Sequence, residues 1–421
     1  MARRVGFIAR TVLTTAVVTV VAGCATGRAA PPTTGADPRP AEPRAAEPRR
    51  ADSTAAAWIE PGAGSRETTR ATTFDTTWYV TSRARRDGRL IDSVAPELEY
   101  GFVVTRFRER VGPGSDGRLL EGIDAEPVDS ARVDRDDFIA HMRASDSLAG
   151  ARGEGAVMYV HGYATSFRRA MAQGAEIAHR GTFAGPFIVF SWPTHRMLAV
   201  WPSFDAIVSR AYRDDSASAV ENHDAFRRAV ADVTAGARPG AFTVVAHSMG
   251  AQLVTEALAQ PSAFRDRAIA NPFNALVLFA PDVPVDRFRD SVAPALIPLA
   301  RRRVIYAADN DMMLDMSRLI NRTSRLGEAS AARPLAARGF EVVDVERGQR
   351  VNGALRKFFE PNHAMRWAST ALYDFFGVVR GIPSLCRTAT GTATLSFDGV
   401  WELTGVAIPD LTVPDACAAA R

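Results

Sequence analysis

The chain has 421 residues, of which 47% are hydrophobic and 23% charged, with a formal net charge of +4. That is enough apolar material for a sizeable core and an ordinary charge content for a soluble protein, arranged as one large domain with appendages or as two domains. Nearly all the cations are arginine, with Lys357 the sole lysine. They are dispersed instead of forming a stripe, which argues against nucleic-acid binding.

The N-terminus reads as a targeting segment. Arg3 and Arg4 supply a positive n-region, and Thr11 to Val21 is an apolar stretch too short to span a bilayer comfortably. It ends in Val21-Ala22-Gly23-Cys24, which resembles the lipobox of bacterial lipoproteins. The resemblance implies that residues 1–23 are a signal peptide and that Cys24 is lipidated and becomes the mature N-terminus. Two or three acyl chains on one residue anchor stably, where one chain binds only marginally. Ala25 after the cysteine is similar to the outer-membrane pattern of enteric lipoproteins. Residues 24–72 follow as a Pro-, Ala- and Arg-rich disordered tether with almost no apolar periodicity. With Cys24 set aside, Cys386 and Cys417 remain as a possible disulfide in an oxidising compartment, two free thiols being the other possibility.

The folded part, residues 73–380, opens with two strands, Thr77–Ser82 and Tyr100–Thr105, antiparallel at a sheet edge, then a polar, Gly- and Asp-rich connection. A short helix carries Phe138, Ile139 and Met142 on one face. The buried strand Ala156–Val160 runs into His161-Gly162-Tyr163, and a helix capped by Thr165 or Ser166 follows. Gly174 lies on the apolar stripe of that helix, where it allows close packing against the sheet. Strand Phe187–Phe190 leads to Ser191-Trp192-Pro193, a partly apolar loop at 197–202, and a helix bearing Val220, Phe226, Val230 and Val233. Further strands are expected near 242–247, at Ala275–Ala280, Val304–Ala308 and Glu341–Val345, and a last helix at 364–376. Apolar strands alternating with amphipathic helices imply an α/β fold, a mainly parallel sheet covered on both faces. Residues 381–421 break the rhythm. They read as a small appended hairpin, with a two-residue turn at Asp398-Gly399.

The chemistry centres on Ala246-His247-Ser248-Met249-Gly250. A buried strand turns into a helix there, with Ser248 at the apex and small residues two positions away on either side, the pattern of a nucleophile elbow. A serine hydroxyl needs a base, and the base an oriented acid. Of seven histidines only His363 lies downstream of Ser248, which suits the order Ser, Asp/Glu, His. For the acid, Asp311 is preferred because it lies past a strand end; Asp309 and Asp282 stay open. The oxyanion donors are expected to be the Met249 and Tyr163 amides, with Gly162 letting the backbone approach. His161 and His247 read as orienting residues, with Gly250 and Asp282 in support. No metal or cofactor is expected. His223, Asp224 and the pair Asp214-Asp215 have no ligand-spaced partners and read as solvated helix starts, and there is no Gly-rich phosphate loop.

Taken together, His161-Gly162-Tyr163, Ser191-Trp192-Pro193, Tyr212-Arg-Asp-Asp-Ser216, His247-Ser248-Met249-Gly250, Ala280-Pro-Asp282, Asn310-Asp311 and Asn362-His363 resemble a bacterial α/β-hydrolase family of unknown function, over roughly residues 74–378. The resemblance implies the α/β-hydrolase fold, with Ser248 as nucleophile, Asp311 as acid and His363 as base. It implies a serine esterase acting on a small-molecule or lipid ester, held at the membrane by its N-terminal lipid. An envelope acyltransferase on the same triad, or an inactive hydrolase-fold scaffold, is the alternative.

Overall fold

The computed structural model describes residues 68–113, 119–195, 204–260, 273–346 and 369–404, together with Cys417. Every described residue belongs to one compact unit, Gly64–Arg421. The expected signal peptide, Cys24, the expected tether up to residue 67, the loop at 197–202 and His363 lie outside the described residues.

The described strands form an eleven-stranded sheet. Its centre is parallel: β4 (Val157–Val160), β5 (Phe187–Ser191), β6 (Thr243–His247), β7 (Phe273–Phe279), β8 (Ala300–Ala307) and β9 (Glu341–Asp344). These runs are short, apolar and β-branched because both faces are covered. Met158, Val160, Val244 and Ala246 face one core with Phe226, Val230, Leu253 and Val254. Val157, Tyr159 and Val245 face the other, with Met171, Phe375 and Phe376. The covering helices are α1 (Arg135–Ala149), α2 (Phe167–Arg180), α3 (Phe204–Glu221), α4 (His223–Gly236), α5 (Gly250–Ala259), α6 (Met312–Asn321) and α7 (Ser369–Val379). Among the described residues no helix is long and apolar enough to cross a membrane.

Two local expectations are met for visible reasons. Ser166 caps α2, its side chain accepting the Arg169 amide at 3.3 Å. A Cβ at Gly174 would stand 2.4 Å from Val189 Cγ2, so the missing side chain is what lets α2 lie on β5.

The sheet edges depart from expectation. β1 is Thr68–Arg86, so the boundary placed after residue 72 falls inside a strand; its first residues are threonines paired with the next strand, which offer no apolar alternation to read. That strand, β2 (Arg89–Pro113), is antiparallel to β1, and β1 runs parallel to β5. The supposed polar connection contains a third strand, β3 (Leu119–Val133), antiparallel to β2. Residues 123–133 are half-exposed or exposed, the charged face that keeps an edge strand from pairing further and hides it from periodicity.

The C-terminal hairpin also differs. β10 (Ala393–Leu395) and β11 (Trp401–Leu403) are antiparallel, and β11 pairs in parallel with β9, so the hairpin extends the main sheet instead of standing beside it. The order across the sheet is β10-β11-β9-β8-β7-β6-β4-β5-β1-β2-β3. The hairpin turn is not the two-residue type. Ser396 N–H bonds Val400 O at 2.8 Å, and within the turn only Gly399 has positive φ, 82°. That is a three-residue loop with glycine in the left-handed position, since a type I′ turn requires two such residues. Cys386 and Cys417 form a disulfide with Cα atoms 5.7 Å apart.

Candidate active site

β6 ends at His247 and α5 begins at Gly250, leaving Ser248 and Met249 to make the whole turn. Ser248 has φ 54°, in the left-handed region that costs a side-chain-bearing residue roughly 1–2 kcal/mol. The strain is held by backbone bonds on both sides. Ser248 N–H donates to Phe279 O at 2.9 Å, while Ser248 O accepts from Asp282 N at 3.2 Å and Ala251 N at 2.9 Å. Gly250 makes the crossing possible, because a Cβ there would lie 2.4 Å from His161 O and 2.8 Å from Val160 O.

The loop after β4 closes on this turn. A Cβ on Gly162 would stand 2.9 Å from Ser248 Cβ and 3.3 Å from His247 Nδ1. His161 fixes the loop from beneath. It is fully buried and stacked on Trp192 with centroids 5.5 Å apart. Its Nε2 accepts the Trp192 amide at 3.3 Å, and Nδ1 lies 3.0 Å from Gly162 O. An accepting Nε2 places the proton on Nδ1, so the ring is neutral. Burial, helped by the Arg83 charge, pushes its pKa down to about 3. His161 is therefore built to hold the loop, not to exchange protons at neutral pH.

Beyond Gly162 the loop is tied at three points. Ala164 N–H donates to Asp215 Oδ2 at 3.0 Å, Thr165 N–H to Thr194 Oγ1 at 2.9 Å, and Arg83 Nη2 to Thr165 O at 2.7 Å. Asp215 is fully buried and also accepts from His195, through its backbone amide at 2.5 Å and its ring Nδ1 at 2.8 Å. The expectation that Asp214-Asp215 is a solvated helix start is corrected for Asp215, which joins α3 to two loops. His223 is corrected likewise. It is buried at the start of α4, with Nδ1 3.1 Å from Gln260 Nε2, while Asp224 beside it is exposed.

The acids separate clearly. Asp311 follows β8, which lies two strands, about 10 Å, from β6. It is 1% exposed and caps α6, Oδ1 accepting the amides of Met313 at 3.0 Å and Leu314 at 3.2 Å. Asp309 is exposed, and its Oδ1 accepts from the Ser330 amide and hydroxyl, each at 2.9 Å. Asp282 is buried with both oxygens engaged: Oδ1 by Ser317 Oγ and Arg325 Nε, each at 2.6 Å, and Oδ2 by Tyr212 OH at 2.8 Å. Gln252 adds bonds to Tyr212 OH at 3.1 Å and Asp282 O at 2.7 Å. Asp282 thus belongs to a buried ion-pair network under the elbow. Arg325, 1% exposed, carries no sequence signal of its own and was not anticipated.

The structure therefore brings His161, Gly162, Tyr163, His247, Ser248, Met249 and Gly250 together, with Asp282 beneath and Asp311 past the end of β8, two strands away. Among the described residues no group of three or more His, Cys, Asp or Glu is placed to hold a metal.

A family model described as "Alpha/beta hydrolase of unknown function" matches residues 137–362, more than half of the chain. Comparison with curated proteins gives no match. Similar solved structures include the esterase Est22, at 12% identity, covering 73% of this chain and 82% of that one with a TM-score of 0.30. Fungal esterases from Rhizomucor miehei follow at 14% identity, covering 57% and 72%, TM-score 0.25. A prolyl endopeptidase structure has 12% identity, covering 70% and 48%, TM-score 0.29. At these values the likenesses are too remote to argue from.

Proposed function

The chain belongs to that family of α/β hydrolases of unknown function, and on this premise we propose that it is a serine esterase anchored in the cell envelope. The observation that carries the reading is Ser248 at φ 54° on a strand-to-helix turn, with the Gly162 backbone against its Cβ. The hydroxyl attacks an ester carbonyl while His363 takes its proton, and Asp311 orients the imidazole. The Met249 and Tyr163 amides receive the negative charge on the former carbonyl oxygen. His363 returns the proton to the departing alcohol, leaving an acyl-enzyme that water hydrolyses by the reverse sequence. Cys24 carries the lipid anchor, and the substrate is a small-molecule or lipid ester.

The test uses the full-length chain in detergent with a fluorophosphonate probe and p-nitrophenyl esters of graded length. The parent should label and turn over ester; Ser248→Ala and His363→Ala should each lower kcat by about 10³-fold or more. Asp311→Asn is the informative third variant, since Asn still caps a helix but holds the wrong histidine tautomer, and should cost roughly 10³–10⁴-fold. Labelling without turnover in water would move the reading to acyl transfer, and no labelling of the parent to a scaffold. Replacing Cys24 by Ser should release the chain from the membrane fraction and abolish palmitate incorporation; retention of both would remove the anchor.

A further inference from the structure

Beside the oxyanion loop stands a group of polar side chains that the triad does not use. The Tyr163 hydroxyl is buried and has no hydrogen-bond partner. Burial first, and then the nearby Asp215 charge, push that phenol up to about 12, so it stays protonated and can only gain by donating. A buried hydroxyl left unpaired is costly, and such atoms in native folds usually mark a place that something else fills. The other unpartnered buried polar atoms among the described residues belong to Thr105, Arg106 and Asp146, on β2 and α1.

His195 is the second part. Its side chain is 49% exposed although its carboxylate partner is wholly buried. The Asp215 carboxylate accepts from Nδ1, which fixes the proton there and turns Nε2, on the far side of the ring, away from the buried acid as an acceptor. The two groups share their support. Asp215 binds His195 and also the amide of Ala164, the residue after Tyr163. Tyr212, one turn before Asp215 on α3, places its ring 6.1 Å from that of Tyr163.

A phenolic donor and an imidazole acceptor, carried on two segments that Asp215 ties together, match a hydroxyl group, which both accepts and donates. An anion fits less well, since it supplies no proton to Nε2 and meets the buried Asp215 charge. We propose that Tyr163 and His195 form a polar subsite for a hydroxyl of the substrate, so that the site favours hydroxyl-bearing esters over plain alkyl esters. This rests on the serine-esterase reading and adds the substrate class to it.

The experiment compares kcat/KM within two ester pairs on the full-length chain in detergent: glyceryl against propyl butyrate, and ethyl 3-hydroxybutyrate against ethyl butyrate. The first pair places the hydroxyl on the alcohol side and the second on the acyl side. The parent should favour the hydroxylated member of at least one pair by about tenfold, the order expected of one or two added hydrogen bonds. In Tyr163→Phe and in His195→Ala that ratio should fall severalfold toward unity. A loss of folded protein moves both members of a pair equally, so the ratio separates recognition from damage. A parent ratio near one in both pairs, or a ratio unchanged in both variants, overturns the subsite and leaves the esterase intact. Labelling of Ser248 with no turnover of any of these esters overturns the subsite as well. Neither labelling nor turnover overturns both.

Discussion

His161, under the loop that closes on Ser248, has both ring nitrogens engaged, and its burial has a consequence for pH. Its pKa is pushed down to about 3 by burial and by the Arg83 charge, whereas an unfolded histidine titrates near 6.5. Between those values the unfolded chain binds a proton that the folded chain refuses, so acid favours unfolding. The contribution is fully present above about pH 6.5 and is drained as pH falls toward 3, at up to about 1.4 kcal/mol per pH unit. Urea midpoints measured from pH 7 to 4.5 should therefore decline, and His161→Gln should make the decline shallower by one proton. An unchanged slope in that variant would mean that His161 is protonated in the native state. At this scale the legible features were placements set by neighbours in the chain: Ser248 on its strand-to-helix turn and Gly162 in the loop against it. Arg325 and the burial of Asp215 were not legible, because their partners lie on distant segments.

Elements are decided by how side chains meet across them, and the buried pair under the elbow is the sharpest case. Arg325 and Asp282 are 2% and 5% exposed at the side chain, with Nε and Oδ1 2.6 Å apart. Removing one partner strands a buried charge, so Arg325→Met should cost about 3–5 kcal/mol in urea denaturation. The Asp282 amide holds Ser248 O, so probe labelling of the folded fraction should also slow. Pairing Arg325→Met with Asp282→Leu should recover part of the stability, as replacing both partners by apolar groups often does; no recovery would show that the pair's hydrogen bonds, not its charge balance, matter. The two Asp-Gly sequences among the described residues show the limit of local signals. Asp87-Gly88 has φ 49° and 74° and makes the two-residue turn between β1 and β2, whereas at Asp398-Gly399 only the glycine is left-handed. In the second, Asp398 pairs with Arg333, and Val400 is fully buried, so the tertiary setting chooses the longer loop.

Across the molecule the parallel centre was readable because burial on both faces writes continuous apolar runs, as in β4 and β6. The edges were not, because edge strands such as β3 are selected for exposed polar residues. The C-terminal edge is secured differently. Arg387, next to Cys386, bonds Asp374 on α7 through Nε at 2.6 Å and Glu341 on β9 through Nη1 at 2.8 Å. The Cys386–Cys417 bridge closes a separation of 31 residues around the hairpin. On the loop-closure estimate it contributes roughly 3–4 kcal/mol, so Cys386→Ser with Cys417→Ser should lower the denaturation midpoint accordingly. Because Ser248 follows β6, four strands from β11, the labelling rate of the folded enzyme should hold. Loss of labelling without loss of stability would tie the tail to catalysis.

The most direct test follows the probe to its atom. Peptide mass mapping after brief fluorophosphonate exposure should find the adduct on Ser248 in the parent. With His363→Ala the same peptide should be modified about 10³-fold more slowly or not at all. An adduct on another residue, or modification of Ser248 at the parental rate without His363, would contradict the account.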